Sequence, residues 1–81
     1  IGWHAGLREI TGTHPATVLF VQGRTALVEV GRAREELRAG DIVLLRRGER
    51  MVAADALDAL LFAVPVELPE ALPTFVRPDH D

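Results

Sequence analysis

Short apolar runs alternate with glycine-marked polar breaks through the middle of the chain. Gly23, Gly31, Gly40 and Gly48 fall 8, 9 and 8 residues apart. Turns at that interval mark an all-β sandwich or barrel. The segments between them suit strands: residues 17–22 and 25–30 are rich in β-branched and aromatic side chains, which fit a pleated, half-buried surface. Residues 41–45 form a short apolar run whose acidic start after Ala-Gly reads as a turn entering a strand. Residues 32–37 are polar and read as an exposed hairpin arm. Upstream, residues 3–10 read as one more strand, set off by Gly12, Thr13 and Pro15.

The stretch 57–66 is ambiguous by pattern alone. Leu57, Leu60, Leu61 and Val64 recur at helical spacing, and Ala and Leu favour helix. The all-β surroundings decide for a strand. Pro65, Pro69, Pro73 and Pro78 then mark an extended segment, because each proline removes a backbone donor and fixes φ. The expected organisation is a barrel over residues 1–68 and a proline-containing tail over 69–81.

Composition narrows the picture. The chain has 81 residues, enough for one domain, and 48% of them are apolar. A domain this small buries only about 60% of the surface its unfolded chain exposes, so a homodimer is expected to cover some of the rest. There is no cysteine, which excludes disulfides and thiolate metal sites. No apolar run reaches the 18 or so residues a membrane helix needs, so no membrane partner is expected. The chain opens on Ile1, so a longer parent chain is expected, in a cytoplasmic setting. Net charge is −3, and all nine basic residues are Arg. Seven of them lie between Arg24 and Arg50, but Glu29, Glu35, Glu36, Asp41 and Glu49 are interleaved. That is a solvated mixed-charge face rather than the clustered, aromatic-rich footprint of a nucleic-acid binder.

Two glycine-anchored segments carry a resemblance. One closes Phe20-Val21-Gln22-Gly23; the other opens Gly40-Asp41 and places Gly48 eight residues on. In this order they resemble the two motifs of the cupin family, small jelly-roll β-barrels, over roughly residues 11–66. The resemblance implies an all-β cupin-type jelly-roll barrel in a single domain. It also implies where metal ligands should stand. The carboxylate position falls on Ala16, two His positions near Ile10 and Gly12, and the last His position on Met51, with Arg46 at a usual Pro. Ala, Gly and Ile offer no donor, and one thioether is too soft to hold a first-row divalent ion. The resemblance therefore points to a metal-free barrel without a cofactor. Residues 36–50 are also similar to part of the actuator domain of P-type ATPases. Val52-Ala53-Ala54-Asp55 lacks that family's Pro and puts the Asp one residue late, and its Thr-Gly-Glu-Ser loop is missing.

The remaining chemistry is sparse. Ser and Cys are absent, which removes the usual nucleophilic triads. Glu35-Glu36 is a carboxylate pair on a polar arm, where no burial would raise a pKa. The candidates for a ligand cavity are His14, Phe20, Met51, Trp3 and His4. Regular alternation would set Gly12, His14, Ala16, Val18 and Phe20 on one inward face. Arg46 and Arg50 suit a carboxylate or phosphate at the barrel mouth. The tail His80 is expected to be disordered. The expected function is a small-molecule binding or regulatory module of unknown ligand, with no complete catalytic motif to make it an enzyme. One alternative is a metalloenzyme holding a divalent transition metal on a reduced set, His14 as the weak metal candidate and perhaps His4. The other is a structural dimerisation barrel.

Overall fold

The computed structural model describes residues 2–23 and 26–78. Its described residues form seven strands and no helix: β1 (Gly2–Thr11), β2 (Ala16–Gly23), β3 (Ala26–Val30), β4 (Ala33–Leu37), β5 (Ile42–Arg46), β6 (Arg50–Val64) and β7 (Phe75–Val76). They join in one antiparallel sheet ordered β4-β3-β6-β2-β5-β7, with β1 also on β6, that curls into a nearly closed barrel. The all-β expectation stands. The ambiguous 57–66 stretch lies almost wholly in β6. His80 and Thr25 lie outside the described residues.

β6 is the spine. It pairs with β1 over most of its length, with β3 through Met51–Ala53 and with β2 through its second half. β1 follows its curve only by breaking register between His4 and Leu7 and again between Leu7 and Glu9. Gly6 takes a φ of 71° there, and its N–H donates to the Asp58 carboxylate at 3.0 Å. Three of the evenly spaced glycines turn the chain at positive φ: Gly31 at 59°, Gly40 at 96° and Gly48 at 85°. Glycine alone enters that region without a Cβ penalty.

Apolar side chains line the barrel interior. Leu19, Val21, Val28, Leu37, Val43, Leu45, Met51 and Leu57 are its largest fully buried side chains. They alternate with outward residues along each strand, as a pleat requires. The tail also belongs to the sheet: Phe75–Val76 pairs with β5, and Phe75 packs against the core. Arg46 holds the approach to it, donating to the carbonyls of Pro69 at 2.6 Å and Leu72 at 3.0 Å. Arg77 then donates to the Glu36 carbonyl and sets its Nε 3.7 Å from the buried Asp41 carboxylate.

Candidate functional site at the barrel mouth

The parity of β2 decides where the candidate residues go. Leu19 and Val21 face the core, so Val18 and Phe20 face outward, half-buried. This corrects the inward face expected for Val18 and Phe20. The expectation took the inward face from the family's carboxylate position at Ala16, whereas β2 buries the opposite parity at Leu19 and Val21. Its extension to Gly12 and His14 also fails, because no strand passes through 12–15. Gly12 N–H bonds to the Glu49 carbonyl and the Gly12 carbonyl accepts from Gly48 N–H, so the chain turns there instead of alternating.

The five candidates accordingly occupy three places. Met51 is completely buried in the core, where its direct cross-strand partner is Ile10. Two positions that the cupin register assigns to His are thus hydrocarbon neighbours. Phe20 lies on the outer sheet face with its ring edge-on to Phe62, the centroids 5.4 Å apart. Trp3, 56% exposed, stands on the same outer face beside Leu60. His4 and His14 meet elsewhere.

They meet at the mouth of the barrel, in an open groove of about 320 Å³. The curl of β1 brings its start, Gly2 and His4, near its own end, Ile10 and Thr11. The β1–β2 turn adds Thr13 and His14, β2 adds Thr17, and the end of β6 supplies Leu61, Phe62 and Ala63 as an apolar wall. Leu61 also packs against the core, so the groove borders the apolar interior. Thr13 Oγ1 lies 3.3 Å from His14 Nδ1, which steadies that imidazole. Arg47 donates to the Thr13 carbonyl at 3.2 Å and brings a cation to the rim. The lining named here contains two imidazoles and three hydroxyls and no carboxylate.

That donor set is short of what a catalytic metal needs, about three protein ligands with an open position. Among the described residues, no group of three or more His, Cys, Asp or Glu is placed to hold an ion. Arg46 and Arg50 do not reach the groove as free cations: Arg46 holds the tail carbonyls and Arg50 pairs with Glu9. Sequence reasoning missed the three threonines and the β6 wall. The bend of β1 assembles them, and only its Gly6 hints at that bend. No helix among the described residues is long and apolar enough to cross a membrane. No family model, curated protein or solved structure matches the chain.

Proposed function

We propose that the chain is a cupin-like jelly-roll barrel, lacking the family's metal donors, that binds a small organic anion at its mouth. One observation carries the ligand site: His4 and His14, ten residues apart, converge with three threonines on one groove. Its volume lies near the lower end of small-molecule sites, about 300–1,000 Å³. Two imidazoles, three hydroxyls and the nearby Arg47 favour a negative head group, and Leu61 and Phe62 favour a short apolar body. The expected cavity residues Met51 and Phe20 stand apart from this groove, Met51 in the core and Phe20 on the outer sheet face, so the ligand site is placed at the mouth around His4 and His14. The jelly-roll reading is supported by nested pairing. β1 pairs β6, β2 pairs β5 and β3 pairs β4, as in a long hairpin folded over on itself.

The test uses hexanoate and hexylamine as probes of equal length and opposite charge. In an amide NMR titration, hexanoate is expected to shift Thr13, His14, Ala16, Thr17 and residues 61–63 at millimolar concentration. Hexylamine is expected to leave them in place. His4→Ala and His14→Ala are each expected to weaken hexanoate binding at least threefold. Equal response to the two probes, or full binding by the double variant, would overturn the reading.

A further inference from the structure

One face of this barrel carries half-buried apolar residues where an outward face is ordinarily polar. Where five strands lie side by side, cross-strand partners form one apolar row: Trp3, Leu60, Phe20, Ile42 and Val76. Directly opposed residues in antiparallel strands project to the same face. A second row beside it runs Phe62, Val18 and Leu44. None of these eight belongs to the interior cluster or packs against it. A sheet with one wet face alternates apolar and polar residues, whereas a strand covered on both faces reads as a continuous apolar run. β2, β5 and the end of β6 are continuous runs.

We propose that this face is the contact surface of a homodimer in which two copies pack sheet on sheet. The two-fold axis lies in the interface plane and crosses the strands near Val18 and Phe20. Three features select a second copy as the occupant. The first is area. Strand spacing of about 4.8 Å makes the five-strand row roughly 20 Å across, and the two rows, the second three strands wide, give an apolar footprint of roughly 200–300 Å². With its rim, that matches the small, reversible interfaces that bury under about 600 Å² per partner. The second is charge. Arg46 stands beside Ala16 at one end of β2, and Asp58 beside Gly23 at the other. An axis across the strands turns one copy end for end, so the Arg46 end of each faces the Asp58 end of the other. The third is self-complementarity: an apolar face opposite its own copy buries no unpaired charge at its centre. The dimer face and the ligand groove share Phe62, while His4, His14 and the threonines of the groove lie outside the two apolar rows.

Trp3 is the chain's only tryptophan and sits in the first row, so its emission reports on the contact. Sedimentation velocity and Trp emission are read from 1 to 200 µM. The expected result is a monomer–dimer equilibrium in that range, with a blue shift that follows the dimer fraction. Leu60→Arg is expected to weaken association at least tenfold while keeping the parent circular dichroism spectrum. The chain has no native cysteine, so a second measurement needs no background correction. Val18→Cys is expected to cross-link with a short bis-maleimide as the dimer forms, and Glu29→Cys, exposed on β3, is not. A monomer at 200 µM with unshifted emission would overturn the proposal, and so would equal cross-linking at the two positions.

Discussion

Gly12 shows how one missing side chain holds two loops together. A Cβ built there would lie 2.6 Å from the Arg46 carbonyl oxygen, a backbone atom that cannot rotate away. Gly31 is the contrasting case: its φ is 59°, but its surroundings are open. Steric overlap inside a packed turn costs about 1–3 kcal/mol, and a left-handed non-glycine residue about 1–2 kcal/mol. Gly12→Ala is therefore expected to destabilise by about 2–3 kcal/mol and Gly31→Ala by about 1 kcal/mol. Urea unfolding of the two variants checks the order, and the reverse order would refute the close approach. Asp41 gives a second ranking. Its buried carboxylate accepts the Arg38 N–H at 3.0 Å and closes the turn before β5. Arg77 reaches the same carboxylate at 3.7 Å, with its side chain 34% exposed. Arg77 is not hydrogen-bonded to it, whereas Asp41→Ala removes that ion pair together with the 3.0 Å bond that closes the turn. Asp41→Ala is expected to lower stability more than Arg77→Ala, again by urea unfolding.

β6 explains why its own sequence resembles a helix. Leu57, Ala59 and Leu61 face the core, while Leu60, Phe62 and Val64 face outward. Both sides are apolar, so the period of two disappears and Leu57, Leu60, Leu61 and Val64 fall at helical spacing by coincidence. The strand was legible from its neighbours' turns, and its two-sided character was legible from the run itself. The mouth groove was not legible, because it depends on two register breaks in β1 and on a turn at 12–15 that interrupts alternation. The two faces of β6 separate in an experiment. Leu57 is fully buried, and truncating such a residue costs about 2–5 kcal/mol through lost burial and the remaining cavity. Leu60→Thr removes only outward, half-buried surface and keeps a β-branched strand former. Under dilute conditions it is expected to cost less than about 1 kcal/mol against at least 2 for Leu57→Ala. Comparable losses would mean that the outward face packs against part of the same chain.

For the whole molecule, the glycine spacing located the turns, and the apolar excess pointed to a partner. What composition could not supply was where that excess sits. The sheet register supplies part of it: half-buried apolar residues run across one face from Trp3 to Val76, while Val52, Val66 and Leu72 are exposed elsewhere. If a second copy covers that face as proposed, mass action makes the melting temperature depend on the protein's own concentration. A hundredfold rise in concentration above the dissociation constant adds roughly 1–1.5 kcal/mol per subunit. In a domain of this size, 1 kcal/mol moves the midpoint by about 4–8 °C. Melting the chain at 2 and 200 µM is therefore expected to show a rise of roughly 5–10 °C. Leu60→Arg is expected to melt at one temperature at both concentrations, near that of the dilute parent. If parent and variant were equally insensitive to concentration, the sheet would be stable with its apolar face uncovered, and the stabilising role given to a second copy would fall.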